Sequence, residues 1–116
     1  MKDELHNIVI AVPIDDVGLI IKIMKEHNVE AALSEKYKKG YAFDSALYDI
    51  VIEVIKSPYF IPPIALALRA FLKRNDKKKF IVKTPEGESL NLEGYSKKEI
   101  EQILKRVKRL SFIERQ

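Results

Sequence analysis

Two histidines, His6 and His27, are the first candidates for proton transfer in this 116-residue sequence, because imidazole titrates nearest neutrality. Neither has a second ligand four residues away or an H-x-E pattern, so neither reads as half of a metal site. His6 opens an apolar segment, and His27 closes a helical one, where the helix dipole favours a cation. Both are read as structural. Carboxylates are the second candidates. Asp44, Asp49 and Glu53 fall within one apolar segment, and Asp15-Asp16 open another. A hard cation needs several converging oxygens, more than two carboxylates on one helix face supply. Asp15 and Asp44 are more simply explained as caps. A metal-dependent hydrolase using Asp44, Asp49 and Glu53 is therefore only a remote alternative. No serine stands in a nucleophile-elbow pattern, and the four glycines form no phosphate-cradling loop. There is no cysteine, which removes thiolate chemistry and disulfides together. The expectation is a non-enzymatic chain with no catalytic residue, no metal and no cofactor.

Two kinds of surface remain, one charged and one apolar. Residues 1–68 hold 7 Lys/Arg against 10 Asp/Glu, whereas residues 69–116 hold 14 against 7. The basic half carries Lys73, Arg74, Lys77, Lys78 and Lys79, then Lys105, Arg106, Lys108 and Arg109. Such charge could neutralise backbone phosphates, with salt-dependent affinity. Glu86, Glu88, Glu93, Glu99 and Glu101 interrupt it, and no exposed aromatic pair suggests base stacking. Nucleic-acid binding is the alternative reading. The leading one rests on apolar excess between Ala42 and Leu72, where Tyr48, Tyr59, Phe60, Ile61 and Leu66 could face a protein partner or a second copy of the chain.

The composition is globular, with 47% apolar and 33% charged residues. The longest uncharged run, Ser57 to Leu68, has 12 residues and three prolines, too short for a spanning helix of roughly 20 residues. The polar start, Met1 to Asn7, does not read as a secretory signal. A cytoplasmic protein without a transmembrane segment is expected.

Residues 1–116 read as a single α+β domain. Leu5 to Val12 is a mostly buried strand, and Asp15 to about Asn28 a helix with an apolar stripe at Val17, Ile20, Ile21 and Met24. Val29 to Tyr37 alternates as a second strand. Asp44 or Ser45 to Ser57 looks helical, although its Ile/Val content also suits a strand. Ile64 to Arg74 is a helix with Pro62-Pro63 in its opening turn. Lys79 to Leu92 is a hairpin turning at Pro85 to Glu88. Ser96 and Glu99 form a capping box, with Tyr95 and Ile100 as a staple, for a last helix carrying Ile103, Leu104, Val107 and Leu110. The order is β-α-β-α-α-β-β-α. A mixed sheet of about four strands with helices mainly on one face would bury these stripes.

From Ala67 to Leu104 the sequence is similar to the C-terminal part of the bacterial effector-associated constant component family. The resemblance lies in the helix end Phe71-Leu72-Lys73-Arg74, the turn Thr84-Pro85-Glu86-Gly87, and Glu99, Ile103 and Leu104 of the last helix. The apolar segment ALYDIVIEVI sits where that family has a helix. The resemblance implies a non-enzymatic accessory protein of a bacterial conflict or signalling system, working beside a separately encoded effector. It brings no catalytic residues.

Overall fold

The computed structural model describes residues 7–34, 47–53, 61–74 and 79–115. Strand β1 (Asn7–Pro13) leads into helix α1 (Ile14–Glu26), followed by the short β2 (Ala31–Leu33) and by β3 (Leu47–Glu53). Helix α2 (Ile61–Arg74) precedes the hairpin of β4 (Lys79–Lys83) and β5 (Ser89–Leu90). A 3-10 turn (Leu92–Gly94), helix α3 (Lys97–Arg106) and β6 (Arg109–Arg115) complete the order. The α+β class expected from sequence holds. The sheet has six strands rather than about four, in the order β2-β3-β1-β6-β4-β5. It is mixed: β1 and β6 run parallel, and every other pair of neighbours is antiparallel.

Two segments depart from the expected order. Residues 47–53 form a strand, not a helix, and so the anticipated pair of apolar helices does not exist. The run Ile50-Val51-Ile52 is β-branched throughout and restricts χ1 in a helix, whereas β3 lies between β1 and β2 and uses both faces of that run. The second departure is β6. Leu110 stands at helical spacing from Val107, but α3 stops at Arg106 and Val107 is already extended, with φ −124° and ψ 124°. From there Leu110 and Phe112 alternate inward.

Directly paired residues share a sheet face. One face carries Ile8, Ile10 and Val12 of β1, Ile50 and Ile52 of β3, Val82 of β4, and Leu110 and Phe112 of β6. All are buried in a single core with Ile20, Ile23 and Met24 of α1, Ile64, Leu68 and Phe71 of α2, and Ile100, Ile103 and Leu104 of α3. The three helices therefore lie on the same side of the sheet. Phe71, Phe80 and Phe112 close one end of this core, with ring centroids 5.6 to 5.8 Å apart.

The helix ends follow local chemistry. Helix α1 begins one residue before the expected cap: Pro13 occupies the N-cap position without a side-chain hydrogen bond, and Asp15 and Asp16 fall in the first turn, favoured by the dipole. At its other end Asn28 takes a positive φ of 62°. The Asn28 amide donates to the Lys25 carbonyl and the Val29 amide to the Met24 carbonyl, at 2.9 and 2.8 Å. This is a Schellman closure with asparagine in place of the usual glycine. His27 sits inside it, its Nδ1 donating to the Ile23 carbonyl at 2.9 Å, in the structural role expected of it. His6 lies outside the described residues.

The hairpin turns as expected. Gly87 has φ 92°, its amide donates to the Thr84 carbonyl at 2.9 Å, and the Glu88 amide donates to Thr84 Oγ1 at 3.1 Å. The capping box at Ser96 is also present: the Glu99 amide donates to Ser96 Oγ at 3.2 Å, and the Ser96 amide to Glu99 Oε1 at 2.8 Å. Replacing Ser96 by alanine should cost about 1 kcal/mol, read as a lowered urea midpoint with an unchanged slope. A neutral outcome would show that packing of Tyr95 and Ile100 alone holds the start of α3.

Candidate functional site

The sheet face turned away from the helices gathers residues from four strands. Val9 and Ala11 of β1 pair with Val51 and Asp49 of β3 on one side, and with Arg109 and Ser111 of β6 on the other. Ile81 of β4 pairs with Ile113 of β6, and Lys83 pairs with Ser111. Antiparallel sheets solvated on one face usually read polar there. This face is mixed: the half-buried aliphatics Val9, Leu47, Val51, Ile81 and Ile113 share it with Asp49, Lys83, Arg109 and Ser111, around a fully buried Ala11. None of these residues belongs to the core formed with the helices.

An ion pair marks the middle of the face. The Arg109 guanidinium reaches from β6 across β1 and grips the Asp49 carboxylate of β3 with two parallel hydrogen bonds, each 2.8 Å. The bridge runs on the diagonal, because Asp49 is opposite Ala11 while Arg109 is opposite Val9. Ala11 adds no bulk beneath it. Asp49 is only 5% exposed, so the fork geometry of arginine supplies both the countercharge and the hydrogen bonds that a desolvated carboxylate needs. The arrangement ties three strands together across the face. It leaves Asp49 engaged rather than poised for acid–base chemistry.

The residues expected to form a protein contact are dispersed. Tyr48 is half-buried on β3, on the helix side opposite Val12. Ile61 is buried at the start of α2, whereas Leu66 is 40% exposed on the same helix. Tyr59 and Phe60 lie outside the described residues. The carboxylates proposed for a hydrolase are not a helix-face pair: Asp49 and Glu53 belong to a strand, and Asp44 lies outside the described residues. Among the described residues no group of three or more His, Asp or Glu could hold a metal ion.

The basic residues are partly consumed by ion pairs. Arg74 bonds Glu26 at 2.8 Å, Arg106 lies 3.5 Å from Glu88, and Arg109 holds Asp49. Every arginine of the expected nucleic-acid set thus has a carboxylate partner. Lys73, Lys79, Lys105 and Lys108 are exposed, and Lys77 and Lys78 lie outside the described residues.

Among the described residues, hollows lie at two places beside the sheet. One of about 920 Å³ lies at the short edge strand β2 and is lined by Ile21, Lys25, Val29, Glu30, Ala31 and Val51 among others. The other, of about 350 Å³, lies between α2 and the hairpin and brings together Arg69, Lys73, Lys79, Leu72, Leu92 and Glu93. The convergence of Arg69 with Glu93 depends on tertiary packing and was not legible in the sequence. The sheet face was missed as well, although the unbroken apolar run Ile8 to Val12 is the pattern of a strand covered on both faces. Among the described residues no helix is long and apolar enough to cross a membrane. No family model, curated protein or solved structure matches the chain.

Proposed function

We propose that this chain is a cytoplasmic, non-enzymatic accessory or adaptor protein that receives a protein partner on the sheet face opposite its helices. The supporting observation is the set of half-buried aliphatic side chains on that face: Val9, Leu47 and Val51 flank the Asp49–Arg109 bridge, and Ile81 and Ile113 pair beyond Ser111, on the side away from the shared core. Apolar groups around a satisfied ion pair suit a contact surface, since the aliphatics supply area and the oriented charges fix register. The expected interaction surface on two apolar helices is replaced by this face. The resemblance of the helix, hairpin and last helix to effector-associated components makes a separately encoded effector of a conflict or signalling system the expected partner.

The test is affinity capture of the tagged protein from its host after nuclease treatment, comparing wild type with Ile113→Glu and Leu66→Glu. A protein enriched by wild type and by Leu66→Glu, but reduced at least tenfold with Ile113→Glu, about 1.4 kcal/mol, would support the proposal. Circular dichroism must show both variants folded. Loss with Leu66→Glu alone would move the contact to α2, and loss of everything with nuclease would favour nucleic acid.

A further inference from the structure

The smaller hollow has a chemistry that the sheet face does not share. Arg69 and Lys73 are four residues apart on α2 and so lie on one helix face, where like charges repel. Lys79 enters from β4 on the opposite wall. Glu93, from the 3-10 turn, is the single carboxylate among the lining residues, and its Oε2 lies 3.9 Å from Lys79 Nζ. Both partners of that long contact are largely solvated, so it neutralises little. The helix dipole accounts for Lys73 in the last turn of α2, but its effect fades within that turn and does not reach Arg69. Three cations against one carboxylate therefore leave an uncompensated positive hollow.

Its remaining walls are apolar. Leu72 and Leu92 are 8% and 2% exposed, and they fix the hollow's shape through the core. A volume of about 350 Å³ falls at the lower end of the range for small-ligand sites. We propose that this hollow binds a nucleotide unit through its phosphate, held by Arg69, Lys73 and Lys79, while Leu72 and Leu92 support the hollow from the core beneath. A guanidinium and two ammonium groups suit phosphate oxygens, with arginine able to bond two at once. The same groups would recognise a free nucleotide or one link of a strand.

Titration of the whole protein at low salt with AMP, with ATP and with a ten-nucleotide oligothymidylate separates these sources. Binding of AMP or ATP would support the site with a free nucleotide as ligand, and binding of the strand alone would support it with a nucleic acid as ligand. In either case Lys73→Glu should weaken binding by about tenfold or more. Glu93→Gln should tighten it a few-fold by removing the one opposing charge. Lys98→Glu makes the same charge change at an exposed position of α3 outside the hollow, and it should alter affinity less than about twofold. Absence of binding to all three probes would overturn the proposal. So would equal weakening by Lys73→Glu and Lys98→Glu, which would reveal only diffuse attraction to a basic chain. None of these substitutions touches the sheet face, so failure here leaves the partner-capture experiment intact.

Discussion

Phe112→Ala should destabilise the fold by about 3–5 kcal/mol, the range for deleting a buried aromatic ring. Phe112 is 0% exposed. Its ring meets Phe71 and Phe80 edge-on, at 5.8 Å from each, so alanine removes two of the three contacts in the aromatic group and leaves a cavity between α2 and the sheet. The surrounding residues come from different elements and cannot collapse into the space together. Native domains hold only about 5–15 kcal/mol, so this single change could remove half the stability. Urea unfolding followed by far-ultraviolet circular dichroism would measure it. A loss below about 1 kcal/mol would contradict the seating of β6 in the middle of the sheet.

Arg109→Met is expected to cost about 2–3 kcal/mol, and Asp49→Asn only about 1 kcal/mol. The asymmetry follows from exposure. Breaking a buried ion pair from one side typically costs about 3–5 kcal/mol because a desolvated charge is left behind. The Asp49 side chain is 7% exposed and that of Arg109 39%, so the carboxylate is the stranded partner and the guanidinium can reach water. Asparagine also still accepts one of arginine's hydrogen bonds. The double variant Asp49→Leu with Arg109→Met should recover most of the Arg109→Met loss, because a buried ion pair exchanged for apolar groups is often near neutral. Denaturant midpoints of the three proteins would decide the matter. Equal losses from both single changes, with no recovery in the double, would mean that Asp49 is not the partner left desolvated when the bridge is broken.

Legibility in the sequence was uneven, for physical reasons. Features encoded within a few residues could be read directly: the capping box at Ser96, the Pro85–Gly87 turn and the proline-led start of α2 each depend on local hydrogen bonding or fixed dihedrals. The segment from Leu47 to Glu53 could not, because its Ile and Val residues satisfy periods of both 3.6 and 2. Its position between two other strands decides the outcome, and that is a tertiary fact. Strand β6 was hidden differently. No glycine or proline follows Arg106 to announce the end of α3, and Val107 and Leu110 extend the apolar stripe in register. The candidate surfaces inherited these difficulties. Asp49 and Arg109 are adjacent only once β3 and β6 flank β1, so neither residue type nor spacing could pair them.

The parallel pairing of β1 with β6 sets a timetable for folding. Val9 and Arg109 occupy opposite places in that ladder although 100 positions separate them. On a ribosome, β1 and β3 can zip together early, but one edge of β1 must wait until almost all of this sequence has been synthesised. Non-local contacts of this kind raise contact order and slow the search for the native state. During that interval the Ile8–Val12 run offers an unprotected strand edge to other chains. Refolding should therefore be concentration-sensitive, with yield falling as protein concentration rises, even though the finished sheet keeps β1 in its interior.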